Sequence, residues 1–273
     1  MSIDEHTIEL AGSPVFYRSA PAGETPPPAL FVHSLPTSSA DFGELLATAG
    51  GVAVDLPGFG RSGKGGHLDY SLDGHVAFLE RFLEAAGLPR VALVGHGWGG
   101  AVSLLLACRR PERVTALTVV APLPLLPGFA YPAIARWLRR PALGEVLMGS
   151  ITRRMLARGL RAAAADDAVW PQARVDAVWD QLDQGTQRAI LRALRSAGPT
   201  DLESASAELE AMRRAVTIVW GEADPWLAPR FADAYAARLP DATVRRVPGA
   251  GHWPWLQRPE VAEELARFAR DAA

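Results

Sequence analysis

The stretch "VALVGHGWGGAVSLLLA", residues 91–107, decides the fold. It opens as a short apolar run of the kind buried on both faces in a parallel sheet. It closes as an apolar helix, and between the two lies a glycine-dense turn containing Gly95, Gly97, Gly99 and Gly100. Gly-x-nucleophile-x-Gly between a buried strand and a helix is a nucleophile elbow, a sharp turn that lifts one side chain above the C-terminal edge of the sheet. Here the tip of that turn is Gly97, which has no side chain to lift.

Outward from this stretch, strand and helix signals alternate. "HTIEL" and "PVFYRS" flank a Gly-Ser-Pro turn and predict an opening hairpin. "PAGETPPP" is a loop by composition, because consecutive prolines suit neither a helix nor a central strand. "ALFVH" (29–33) and "GVAVDL" (51–56) are buried strands, and "SSADFGELLATAG" between them predicts a short helix capped by Ser38 or Ser39. Residues 71–87 predict a longer amphipathic helix, with Ser71 at its start and Gly87 at its end. "VTALTVVAP" (114–122) and "AVTIVWG" (215–221) complete the core strands, and "ATVRRVPG" reads as an edge strand. The pattern is that of an α/β protein, with a mostly parallel central sheet covered by helices on both faces.

Residues 123–213 break the rhythm, with several helical stretches and no convincing strand. They imply a helical cap inserted into a core built from residues 1–122 and 214–273. Trp137, Met148, Met155, Trp170 and Trp179 are the large apolar side chains of this insertion. They are expected either to pack it onto the core or to line a cavity beneath it.

Downstream of the elbow, "VWGEADPW" sets Asp224 just after a strand, and "VPGAGHWPW" sets His252 in the loop after the next. With "HSLPTSS", "DLPGFGRSGK" and "GHGWGG", these motifs agree in order and context, and over nearly its whole length the chain resembles the α/β-hydrolase superfamily. The motifs "GH-x-WGG" and "H-x-x-PTSS" are most similar to the branch holding epoxide hydrolases and haloalkane dehalogenases, where the elbow tip is aspartate; serine esterases share the frame.

The resemblance implies an oxyanion hole made by the backbone N–H groups of Leu35 and Trp98, which survive any change of side chain. It also exposes departures. Dehalogenases use a polar side chain where this chain has Leu35, and epoxide hydrolases use two cap tyrosines where the insertion has only Tyr131. Ser34 replaces the usual glycine after His33. Its hydroxyl is expected to bond local backbone, and the alternative is that it substitutes for the missing nucleophile. Ser34, Tyr131, Trp137 and Trp253 are the expected substrate contacts.

Glycine at the tip forbids covalent catalysis from that position. It also relieves the strained backbone that such turns impose. Three readings follow. In the first, Asp224 orients His252 as a general acid/base acting on water or substrate, with the vacant volume at Gly97 holding either; direct hydrolysis, ring opening or closure, elimination and isomerisation are all open. In the second, a serine or aspartate of an ordinary hydrolase has been replaced at the tip. In the third, the pocket only binds a small molecule.

The remaining features set bounds. The chain has 273 residues, 49% hydrophobic and 21% charged, with a formal net charge of −2 and acids and bases interspersed, which gives no electrostatic case for nucleic acid. No run approaches the length of a membrane span, and the acidic N-terminus lacks an apolar signal region, so a cytoplasmic enzyme is expected. The single cysteine, Cys108, forms no internal disulfide and lies roughly 16 Å along the helix from the tip, too far to replace it. No His/Cys cluster has metal-ligand spacing, and no Lys-Ser/Thr follows the glycines to make a phosphate loop. The expected partner is a small apolar substrate, with no cofactor; the oligomeric state is open. His33 and His96 are expected to support their loops, Asp55 and Arg61 to stabilise a turn, and Asp41 to be solvent-exposed, the alternative being an approach to the pocket mouth.

Overall fold

In the computed structural model, residues 1–21 and 28–271 are described, so most of the proline-rich loop expected at 21–28 lies outside the described residues. Eight strands form one sheet: β1 Asp4–Leu10, β2 Ser13–Ala20, β3 Ala29–Val32, β4 Gly51–Val54, β5 Val91–His96, β6 Val114–Val120, β7 Val216–Gly221 and β8 Ala242–Val247. Their spatial order is β1-β2-β4-β3-β5-β6-β7-β8. The β1–β2 hairpin joins antiparallel to β4, and every pair from β4 to β8 is parallel. The unbroken apolar runs behave as expected: β3, β4 and β5 are buried at every position, whereas β8, at the edge, is mostly half-exposed.

The core helices are α1 Gly43–Ala49, α2 Leu72–Ala85 and α3 Gly97–Arg109, with α10 Arg230–Arg238, α11 Pro254–Gln257 and α12 Pro259–Asp271 near the C-terminus. Ser71 caps α2 by accepting from the Gly74 N–H at 3.0 Å, and Ser38 caps the short 3₁₀ turn that leads into α1. Strand order steps one way from β3 to β4 and the other way from β5 onward. Right-handed crossovers therefore put α1 on the opposite face from α2 and α3. Consistent with this, α1 packs against α12, and α2 against α3.

Between β6 and β7 the described elements are all helical: α4 Ala133–Leu138, α5 Leu143–Gly149, α6 Arg153–Ala164, α7 Gln172–Gln181, α8 Gln184–Ser196 and α9 Pro199–Glu208, with 3₁₀ turns. The first of them leaves the sheet beside the elbow, where the Leu123 N–H bonds the Gly97 carbonyl at 2.8 Å. No helix among the described residues is long and apolar enough to cross a membrane.

Candidate active site

The sheet reverses its winding between β3 and β5, and at such a switch point two loops diverge above the strand ends and leave a crevice. Ser34 follows β3 and Gly97 follows β5, so both stand at this crevice. Gly97 has φ +52°, in the left-handed region that favours glycine. Gly99 is needed for another reason: a Cβ there would lie 2.4 Å from the Val32 carbonyl oxygen, so glycine lets the end of β3 press against the start of α3.

The space beside Gly97 is not vacant. A Cβ on Gly97 would stand 2.1 Å from Ser34 Oγ and 2.7 Å from Ser34 Cβ, and 3.4 Å from His252 Nε2. The expectation that this volume holds water or substrate is thereby corrected, because the Ser34 side chain fills it. Nor does the Ser34 hydroxyl bond its own loop. Its Oγ accepts from the backbone N–H of Trp98 at 3.2 Å, 64 residues away in sequence.

His252 and Asp224 meet at the ends of β8 and β7. His252 Nδ1 donates to Asp224 Oδ2 at 2.7 Å, and both residues are buried. The other carboxylate oxygen, Oδ1, accepts from the backbone N–H groups of Trp226 and Leu227 at 2.8 and 3.0 Å. Asp224 is thus an acceptor with both oxygens occupied, which places the imidazole proton on Nδ1 and leaves Nε2 as a free lone pair at the cavity wall.

Two further contacts fix the backbone of His252. Its N–H donates to the Ala163 carbonyl at 2.8 Å, and its carbonyl accepts from His96 Nε2 at 2.9 Å. A carbonyl only accepts, so the His96 proton is on Nε2, and its Nδ1 is buried without a partner among the described residues. Burial, reinforced by the neighbouring His252, holds the His96 imidazole well below its usual range and keeps it neutral.

His33 locks the loop that carries Ser34. Its Nε2 accepts from the Leu56 N–H at 2.9 Å, so Nδ1 bears the proton and donates to the Ser34 carbonyl at 2.8 Å. That carbonyl also accepts from the Thr37 N–H at 3.1 Å. Desolvation lowers the pKa of His33, in keeping with a neutral ring.

Two buried groups escaped the sequence reading. His75, on α2, accepts the Trp98 indole N–H at its Nδ1 at 3.0 Å, and burial pushes its pKa down to about 4. Asp41 is the reverse of what was expected: it is buried rather than solvent-exposed. Its Oδ2 accepts from Thr37 Oγ1 at 2.6 Å and from Trp253 Nε1 at 3.2 Å, and desolvation raises its pKa to about 6. Asp55 and Arg61 do hold a turn, with Asp55 accepting from the Ser39 and Arg61 N–H groups.

Above these groups lies a cavity of about 390 Å³. Its floor is Ser34, Leu35, Trp98, Leu123 and His252; its roof comes from the inserted helices, including Met148, Leu156, Leu160 and Leu182. Tyr131 is in the wall, but its hydroxyl is buried away from the cavity surface near the Arg139 guanidinium, and desolvation raises its pKa to about 12. No carboxylate among the described residues lines the cavity.

Two expected contacts lie elsewhere. Trp137 is on the outer side of α4, 46% exposed, with the Arg140 guanidinium over its ring, while Ile134, Ala135 and Leu138 of the same helix face the cavity. Trp253 is fully buried behind His252, packed edge-on against Trp170 and tied to Asp41. No group of side chains among the described residues could hold a metal ion.

Comparison with known proteins agrees with this architecture. Residues 29–264 match the alpha/beta hydrolase family. A haloalkane dehalogenase of Bradyrhizobium diazoefficiens is 30% identical over 92% of this chain and 88% of its own. A 2-hydroxymuconate semialdehyde hydrolase of Pseudomonas putida is 26% identical over 89% of this chain and 86% of its own. The crystal structure of the haloalkane dehalogenase DbeA from Bradyrhizobium elkani superposes with a TM-score of 0.83 at 22% identity, covering 99% of both chains. With an eight-stranded sheet, a glycine-tipped turn at its switch point and an acid–histidine pair at the following strand ends, the chain belongs to the alpha/beta hydrolase family, in the branch that holds the haloalkane dehalogenases and epoxide hydrolases.

Proposed function

We propose that this protein hydrolyses a small, apolar carbonyl compound by acid/base catalysis, with His252 and Asp224 as the working pair and residues 123–213 as the cap over the substrate. The observation that carries this reading is the 2.7 Å bond from His252 Nδ1 to a fully engaged Asp224, which leaves Nε2 facing an apolar cavity. In that setting Nε2 takes the proton of the attacking O–H group, Asp224 stabilises the imidazolium that forms, and the same proton then goes to the leaving group. The Leu35 N–H is a donor for the oxygen that gains charge, joined by the Trp98 N–H once it leaves Ser34 Oγ.

The name of the dehalogenase relative does not carry over. Displacement of halide by a carboxylate needs an acid in the cavity, and none among the described residues lines it. The departing halide needs N–H donors, yet the Trp98 indole N–H is committed to His75 and Leu35 is apolar. Loss of an elbow serine or aspartate by a single replacement is also disfavoured, because a Cβ at position 97 would collide with Ser34 Cβ.

The test compares the wild-type protein with His252→Ala and Asp224→Asn on p-nitrophenyl esters from acetate to octanoate, and measures halide release from 1-bromohexane in parallel. We expect ester turnover that falls by about 10³-fold or more in both variants, with no halide released. Full turnover in His252→Ala refutes the proposal.

A further inference from the structure

We propose that Ser34 is the nucleophile of this protein, a hydroxyl supplied by the loop after β3 to the place where an elbow would otherwise supply one. This rests on the reading of His252 and Asp224 as the proton-transfer pair. The chain carries a reciprocal exchange: a side chain stands at 34, where the family pattern has glycine, and glycine stands at 97, where the pattern has a nucleophile. The two positions compete for one volume, since a Cβ at 97 would fall 2.1 Å from Ser34 Oγ and 2.7 Å from Ser34 Cβ. The same point is 3.4 Å from His252 Nε2, so hydroxyl and base flank one small volume; no hydrogen bond joins them in this structure, and proton transfer needs the two to close up when substrate binds.

Three features suit Ser34 to this role. It is 5% exposed and lines the cavity, so it meets substrate but little bulk water. Its main chain is pinned through its carbonyl by His33 Nδ1 and the Thr37 N–H, which fixes where its Cβ stands. Its Oγ accepts from the Trp98 N–H at 3.2 Å, a bond that favours the developing alkoxide over the alcohol. A hydroxyl whose task was to satisfy its own loop would bond that loop, and this one does not.

The step balances as an acyl transfer. Oγ forms a bond to the carbonyl carbon of an ester while its proton passes to His252 Nε2; the carbonyl π electrons move onto oxygen, beside the Leu35 N–H and the Trp98 N–H, which Oγ releases as its lone pair goes to carbon. Collapse breaks the bond to the alkoxide, which leaves with the His252 proton and gives an ester of Ser34. Water, losing a proton to His252, attacks that ester, and Oγ recovers the proton on departure. The net reaction is ester plus water to acid plus alcohol. The apolar cavity of about 390 Å³ fits carboxylic esters with a short aliphatic acyl chain.

The test treats the full chain with diisopropyl fluorophosphate and maps the adduct by peptide mass spectrometry, beside p-nitrophenyl butyrate kinetics. We expect one adduct on the peptide containing Ser34, none in Ser34→Ala, and about a 10³-fold fall in ester turnover for Ser34→Ala with unchanged circular dichroism and only a small fall in melting temperature, as the Trp98 N–H loses its acceptor. In the double variant Ser34→Gly/Gly97→Ser, the adduct should move to the peptide containing position 97. Absence of an adduct on Ser34 in the wild-type chain overturns the proposal. So does turnover in Ser34→Ala within about threefold of wild type; if His252→Ala is then still inactive, the acid/base pair stands with water as its partner. If both variants retain turnover, both proposals fall.

Discussion

Replacing Gly97 by alanine tests the packing of this site independently of any substrate. The backbone at 97 has φ +52°, where an L side chain costs about 1–2 kcal/mol. The added methyl would meet Ser34 Oγ at 2.1 Å and Cβ at 2.7 Å, and no rotation of Ser34 relieves the second contact. Forcing an extra carbon into a filled site adds about 1–3 kcal/mol, so Gly97→Ala should destabilise the fold by about 2–5 kcal/mol. Urea unfolding should show this as a lower midpoint at unchanged slope. The steric part belongs to the pair: in a Ser34→Gly background the penalty of Gly97→Ala should shrink to the backbone cost, a coupling of about 1–3 kcal/mol in a double-mutant cycle. Additivity within about 0.5 kcal/mol would show that the two side chains do not compete, and the account of the site given above would fail.

Asp41 gives a prediction in pH. Its folded pKa of about 6, against an ordinary 3.8, means that the folded chain keeps a proton which the unfolded chain has lost between those values. Stability from this group is therefore full below about pH 4 and is lost as pH rises to about 6, on the order of 3 kcal/mol in all. Asp41→Asn should abolish that slope in urea titrations from pH 4 to 7; an unchanged slope would refute the assignment. His33→Ala should cost about 2–4 kcal/mol, since the buried Leu56 N–H loses its acceptor and the Ser34 carbonyl loses a donor. A loss below about 1 kcal/mol would mean that the loop is held by other contacts.

The fold was legible because the deciding signals are local. Uninterrupted apolar runs such as "VALVGH", a serine before an amphipathic stretch at 71, and glycines at fixed offsets each follow from neighbours in the chain. Asp224 and His252 were legible through their place after successive strands, and their bond at 2.7 Å follows from the adjacency of β7 and β8.

Facing was harder to read. On the short helix α4, Ile134 and Leu138 point into the cavity and Trp137 points out, a distinction that six residues are too few to settle by periodicity. Trp253 and Asp41 were misplaced because each is buried by the other, through a bond spanning 212 residues. The His75–Trp98 bond has no local signature either. The Ser34–Gly97 competition did leave a trace, in that a side chain and a glycine have traded places relative to the family pattern. Only the geometry shows that the two departures are one event.

The backbone clamp on His252 has a consequence for how the cavity is reached. The backbone N–H of His252 is fastened to the Ala163 carbonyl at the end of α6, and Gly251 passes so close that a Cβ there would lie 2.2 Å from the same oxygen. This end of α6 therefore serves as a fixed jamb: swinging it outward would carry the imidazole away from Asp224. The doorway lies at the other end, where Ile134 and Met155 line the cavity yet remain 59% and 56% exposed. Under the proposed hydrolysis, substrate would thread past α4 and the first turn of α6 toward a wall tied to the cap through His252.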